Sequence, residues 1–268
     1  MKRLGSVLTM SVLGLSVTAS GVGAWSGGPL FDVTDLDPKC AVCHSTVGRE
    51  AHRLEPPAFA ASQLPENRHY KAIEDGTGLY QSMSPADRQK LLADVKTMDQ
   101  NASASISAPE SLRPGQEAQI TVTLKGGSGL IGVELVDTDL KRQARTIQGD
   151  GWVVVGPPTV WGSDGKEQTN WVDRRGAGLR KNLNSAVIFD RKADIAAGQF
   201  AGGKVTWRVR APQEPGTYSV TAAFHYGTEK ASPVGTVTTP TGAVVPRGGV
   251  FGASGRVMFA KPVTVTVR

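Results

Sequence analysis

From Thr217 to Tyr226 the chain alternates strictly, with Tyr218, Val220, Ala222, Phe224 and Tyr226 on one side of the alternation. A period of two sends successive side chains to opposite faces of an extended strand, and no helix could gather those five residues on one face. The same pattern recurs in Gln119 to Leu124 (Ile120, Val122, Leu124), Lys204 to Arg210 (Val205, Trp207, Val209) and Pro262 to Val267 (Val263, Val265, Val267). Gly132 to Val136, Trp152 to Val155 and Ala186 to Phe189 are shorter segments of similar texture. Turn signals separate them, Pro114-Gly115 and Pro215-Gly216 being the clearest. Seven such strands predict an antiparallel β-sandwich over residues 108–268. The segment Gly156 to Asn184 is too long for a simple turn and is read as an embellishment or a functional loop.

Residues 25–100 read differently, as short helices and loops, so the expected fold is a two-domain α + β chain with 101–107 as linker. Ser84-Pro85-Ala86-Asp87 opens the clearest helix: Ser84 suits the N-cap, Pro85 the first helical position, and Asp87 the positive end of the dipole. Leu91, Leu92, Val95 and Met98 follow at helical spacing. Pro56-Pro57 breaks the chain after Leu54, and Asp75-Gly76-Thr77-Gly78 marks a turn. Residues 1–24 read as a cleaved secretory signal. Lys2 and Arg3 precede the mostly apolar Leu4 to Val17, and Val22-Gly23-Ala24 supplies small residues for cleavage. A periplasmic or exported protein with no transmembrane span after cleavage is expected.

Both cysteines of the chain fall in Cys40-Ala41-Val42-Cys43-His44, which matches the C-x-x-C-H pattern of c-type haem attachment. Two thiols at this spacing can each form a thioether to a haem vinyl group, and the adjacent imidazole then lies beneath the iron as proximal ligand. One covalent haem c on Cys40, Cys43 and His44 is the expected cofactor. Three other readings of the pair were weighed. A thioredoxin-like dithiol needs a preceding strand, which Phe31 to Lys39 does not supply. A zinc site would have to recruit His52 or His69. A disulfide closing so short a loop would be strained and constrain little.

A second axial ligand would set the potential of such a haem, and the residues leave His52, His69, Met83 and Met98 open. His225 and Met258, far along the chain in strand-like segments, are simpler as core or surface residues. The stretch from Cys40 to Met98 resembles a shortened class I cytochrome c. The attachment site, Glu55-Pro56-Pro57-Ala58-Phe59 at the Pro-containing loop, Ile73-Glu74-Asp75-Gly76 followed by Met83, and a final helix from Ser84 carry that resemblance. It implies Met83 as distal iron ligand. His69, in Arg68-His69-Tyr70, is the rival and implies a bis-histidine haem of lower potential. Farther along, Leu112-Arg113-Pro114-Gly115-Gln116 and Val205 to Pro212 resemble reelin-like or immunoglobulin-like domains, and Gly216-Thr217-Tyr218-Ser219-Val220 resembles a tyrosine corner.

Gly126-Gly127-Ser128-Gly129 lacks the Gly-Lys-Ser/Thr ending of a phosphate loop and reads as a turn. Asp137-Thr138-Asp139 and Asp164-Gly165 are acidic turns whose bland reading is solvation and whose sharper one is Ca²⁺. Lys141 to Arg145 and Asp173-Arg174-Arg175 are charged surface stretches. The formal net charge of +6 is mild and unclustered, which argues against a nucleic-acid partner and permits docking to an acidic redox protein. No nucleophile lies beside a base, so the expected role is electron transfer rather than catalysis. The expectation is an exported monohaem cytochrome whose β-sandwich docks a redox partner or an oxidoreductase complex. Two alternatives stand beside it: a haem-based small-gas sensor, and a non-haem sandwich module with C-x-x-C as a redox or metal clip.

Overall fold

The computed structural model describes residues 49–127, 129–140, 144–168, 184–190, 193–227, 235–238, 244–247 and 255–268. Its helical part begins with a 3-10 turn at Arg49–His52, followed by α1 (Pro57–Ser62), a π turn at Glu66–Tyr70 that runs into α2 (Lys71–Asp75), and α3 (Pro85–Asn101). Ser84 caps α3 as its sequence requires: the hydroxyl accepts from the Asp87 backbone N–H at 3.1 Å. Gly76 ends α2 in the left-handed region at φ 68°, a conformation natural to glycine. Pro56-Pro57 does more than break the chain, because Pro57 occupies the first position of α1.

Two sheets follow. One is β1 (Ser103–Ser107), β3 (Glu117–Lys125), β8 (Gly202–Arg210) and β5 (Val153–Val154), with β6 (Thr159–Gly162) also on β8. The other is β2 (Ser111–Leu112), β13 (Val263–Val267), β9 (Gly216–Tyr226), β4 (Gly129–Val136) and β7 (Ser185–Asp190), with β12 (Arg256–Phe259) sharing the β13 edge of β9. A separate hairpin pairs β10 (Gly235–Thr238) with β11 (Val244–Arg247). Among the described residues all strand pairings are antiparallel except β2 on β13. The orders β1-β3-β8-β5 and β13-β9-β4 correspond to the A-B-E-D and G-F-C sheets of immunoglobulin-type sandwiches. The departure is β7, which joins β4 only after the chain has already visited β5 and β6.

The inner faces are those the alternation chose. Ile120, Val122 and Leu124 of β3 and Val205, Trp207 and Val209 of β8 meet Val133 and Leu135 of β4 and Val220, Ala222 and Phe224 of β9 in one buried cluster. Burial of each such side chain contributes roughly 1.5–3 kcal/mol. Tyr218 closes a tyrosine corner at the start of β9, its hydroxyl donating to the Glu214 carbonyl at 2.8 Å. Its ring meets buried Trp152 edge-on, with centroids 6.2 Å apart. Gly126 and Gly127 form the β3–β4 turn, and a Cβ on Gly127 would fall 2.8 Å from that of Tyr226, so the glycines serve the tight turn.

Two expectations are corrected. Residues 101–107 are not a linker: α3 runs to Asn101 and β1 pairs with β3 from Ser103 in register with Lys125. Ala104 and Ile106, packed against the main core, give that strand its buried side. The described helices also share the sandwich's core. Ile73, Tyr80, Leu91, Val95 and Met98 belong to the same apolar cluster as Trp207 and Phe224.

Candidate functional site

Cys40, Cys43 and His44 lie outside the described residues, as does the leader 1–24. The description opens five residues after His44, on the 3-10 turn that carries His52. The backbone N–H of Glu55 donates to the His52 carbonyl at 2.9 Å, closing a turn just before Pro56. A following proline disfavours helical backbone at the residue before it, so the turn ends at Glu55 and α1 starts anew at Pro57. The Glu55 carboxylate reaches back to His52, with Nδ1 and Oε2 2.9 Å apart. Both side chains are buried, at 0% and 7% exposure. A carboxylate only accepts, so Nδ1 carries the proton and donates, leaving the lone pair on Nε2 in the neutral ring. That Nε2 is buried and has no hydrogen-bond partner.

The other ligand candidates sit in different surroundings. Met83, just before the Ser84 cap, is half-buried and packs against the main core, while its carbonyl accepts from Arg88 Nη1 at 2.9 Å. His69 is half-buried on the π turn that precedes α2. Helix α1 touches both that turn and the one bearing His52. Met98 is fully buried in the core. Met258 packs against the same core from β12, and His225 is buried on β9. The helical segment thus carries His52, His69 and Met83, and the sandwich carries His225 and Met258.

The acidic turns are spent on hydrogen bonds and ion pairs. Asp137 accepts from the Arg145 backbone N–H at 2.8 Å and from its Nε at 2.9 Å. Asp139 takes Arg53 Nη2 at 3.1 Å. Asp164 accepts the Lys166 N–H at 3.0 Å, a local turn contact. No group of three or more His, Cys, Asp or Glu able to hold a metal occurs among the described residues. No helix among them is long and apolar enough to cross a membrane.

Two buried polar sites escaped the sequence. Asp99, near the end of α3, accepts from the Tyr70 hydroxyl at 2.5 Å, the Tyr226 hydroxyl at 2.9 Å and Arg256 Nη2 at 2.8 Å. Arg256 is 1% exposed, and its guanidinium also lies 5.3 Å from the centre of the Tyr70 ring. Burial, reinforced by the hydrogen bond to Asp99, pushes the Tyr70 phenol well above its ordinary range. Burial also raises Tyr80. The second site lies on the face of β4, β7 and β9 turned away from the core. There Asn184 Nδ2 donates to Glu134 Oε1 at 2.7 Å, Ser185 stands opposite Glu134, and His225 stands opposite Gly132. A sandwich's outer face is ordinarily solvated, yet Glu134, Asn184, Ser185 and His225 are all buried. Glu134 gave only a weak signal, a lone charge in the apolar run Val133-Glu134-Leu135-Val136.

No protein-family model matches the chain, and no curated protein matches it. Solved structures resemble it distantly. A cohesin module from a family 33 glycoside hydrolase of Clostridium perfringens aligns at 5% identity over 63% of this chain and 98% of that one, with a TM-score of 0.28. The C-terminal domain of the Streptococcus agalactiae AgI/II polypeptide BspA aligns at 14% identity over 62% and 50%, with a TM-score of 0.26. The CARDB domain of PF1109 from Pyrococcus furiosus, in complex with di-metal ions, aligns at 11% identity over 62% and 90%, with a TM-score of 0.20. Scores this low carry no argument about function, and the β-sandwich stands on its own strand pairing.

Proposed function

We propose that the chain is an exported monohaem c-type cytochrome that transfers single electrons, with its β-sandwich as the body that docks a redox partner or an oxidoreductase complex. The observation that carries this reading is Cys40-Ala41-Val42-Cys43-His44, which holds both cysteines of the chain. His52 supports it, because a buried imidazole with one nitrogen on a carboxylate and the other without a protein partner suits a metal. In this reading Cys40 and Cys43 anchor the porphyrin by thioethers and His44 is the proximal ligand. Bound haem c supplies a one-electron Fe(III)/Fe(II) couple. The helices add a mount for it, since they share their apolar core with the sandwich.

The test is an optical spectrum of the mature full chain, oxidised and reduced, after co-expression with haem-attachment machinery. One haem per chain that survives acid–acetone extraction is expected, with attachment lost in Cys40→Ala/Cys43→Ala. A chain that emerges without covalent haem and holds stoichiometric zinc refutes the cytochrome reading and makes the cysteine pair a metal clip.

A further inference from the structure

We propose that the outer face of the β1-β3-β8 sheet binds a linear acidic polysaccharide. The inference concerns the sandwich alone and stands whether or not haem is attached. The alternation that sends Val205, Trp207 and Val209 into the core turns Lys204, Thr206, Arg208 and Arg210 outward. On β3, Thr121, Thr123 and Lys125 face the same way, and β6 places Trp161 opposite Lys204. A protein surface ordinarily intersperses charges of both signs, whereas this face is mainly cationic. Glu117 is spent on Arg210 at 3.1 Å, and Glu167 stands beyond Trp161 at the margin. Among the described residues no carboxylate pairs with Lys125, Lys204 or Arg208, and all three are exposed.

Two of the cations are held ready. Lys204 Nζ lies 4.2 Å from the centre of the Trp161 ring, and Lys125 Nζ 5.6 Å from that of Phe200. These contacts restrain side chains that would otherwise have to be ordered on binding. Lys204 and Arg208, four residues apart on one strand, stand about 13 Å from each other, with Thr206 between them. The Thr206 hydroxyl shares a 2.8 Å hydrogen bond with that of Thr121, and Thr123 and Ser105 continue the row of Lys204 across β3 and β1. Sparse cations separated by hydroxyls suit a chain whose carboxylates are separated by sugar hydroxyls. Duplex nucleic acid presents a charge about every 1.7 Å of its axis, and unpaired bases need aromatic faces to stack on, while one face of Trp161 already carries Lys204. A protein partner would need apolar anchors at the centre of its footprint, but the exposed Val153 lies opposite Arg210 at one end.

The experiment titrates the mature full chain by calorimetry with alginate, neutral dextran, poly-L-glutamate and single-stranded polyadenylate, at low and at high salt. Alginate should bind more tightly than the other two polyanions and lose affinity as salt rises, and dextran should not bind. Lys204→Glu/Arg208→Glu should weaken alginate binding by about tenfold or more. Lys261→Glu, at an exposed cation between β12 and β13 of the other sheet, should leave it unchanged. Where the double reversal fails to fold, the milder Lys125→Gln/Arg208→Gln gives the same reading as a severalfold loss. Absence of alginate binding overturns the inference, and so does an equal loss in Lys261→Glu, which would mark unspecific charge attraction. Poly-L-glutamate or polyadenylate binding as tightly as alginate also overturns it, and reassigns the face to an acidic protein or to nucleic acid.

Discussion

Replacing Asp99 with Ala should destabilise the helices and the sandwich together. Asp99 comes from α3, while two of its partners, Tyr226 and Arg256, come from the sandwich strands β9 and β12. The substitution removes the acceptor of two tyrosine hydroxyls and strands a guanidinium that is 1% exposed. Breaking a buried pair from one side costs about 3–5 kcal/mol, a large share of the 5–15 kcal/mol by which domains are ordinarily stable. At about 2–4 °C per kcal/mol for a chain of this size, Tm should fall on the order of 10 °C. Asp99→Asn keeps an acceptor but loses the charge and should fall between. Asp99→Leu combined with Arg256→Met removes both charges and should recover the part of the loss due to the stranded guanidinium, while the Tyr70 and Tyr226 hydroxyls remain without their acceptor.

The assay is urea unfolding followed by far-UV circular dichroism for α3 and by tryptophan fluorescence, with Trp152 and Trp207 buried in the sandwich. Both signals should shift to lower urea by the same amount. If Asp99→Ala costs less than about 1 kcal/mol, or the helical signal melts alone while fluorescence is unmoved, the claim of a shared core is wrong.

Two further outcomes follow from neighbouring groups. The Tyr70 phenol is raised in the folded state by burial and then by its hydrogen bond to Asp99. The unfolded chain therefore loses that proton first, the stabilisation is complete below about pH 10, and it is lost as pH climbs toward the folded value. Stability measured by urea titration should decline above about pH 10, and Tyr70→Phe should flatten that decline; an unchanged slope would show that Tyr70 titrates normally. Tyr218→Phe removes the hydroxyl that binds the Glu214 carbonyl and should cost about 1 kcal/mol, read as a lower urea midpoint at constant m-value.

The strands legible in the sequence are β3, β8, β9 and β13, through alternation, and β4, β5 and β7, through short apolar runs. β3, β8, β9 and β13 each bury one face in the sandwich, and their apolar residues repeat every second position for that reason. β1, reading Ser-Ala-Ser-Ile-Ser, has only Ala104 and Ile106 to show, and it exists because β3 offers an edge in register. α3 was legible because Ser84 and Pro85 start it chemically, independent of anything distant. The burial of His52 and its pairing with Glu55 were obscured by their neighbours. In Arg49-Glu50-Ala51-His52-Arg53-Leu54-Glu55 a charged run reads as a solvated surface, and only tertiary packing buries two of its members. Asp99 and Arg256 lie 157 positions apart, so no local pattern joins them.

The way the helices meet the sandwich bears on what a docking partner would sense. Arg53, next to His52, pairs with Asp139 of the sandwich at 3.1 Å, and Asp99 at the far end of the helical segment pairs with Arg256. The first pair is partly exposed and contributes about 0–1 kcal/mol, so it positions the turn more than it stabilises it. The second pair and the common apolar cluster supply the rigidity. A helical unit on a flexible tether would leave the turn that carries His52 free to reorient. Here the turn that carries His52 is tied to the sandwich at one end and continues into helices that share the sandwich's core at the other. Under the cytochrome proposal, weakening Asp99 should alter the electron-transfer rate with a partner seated on the sandwich before it alters the haem's own spectrum.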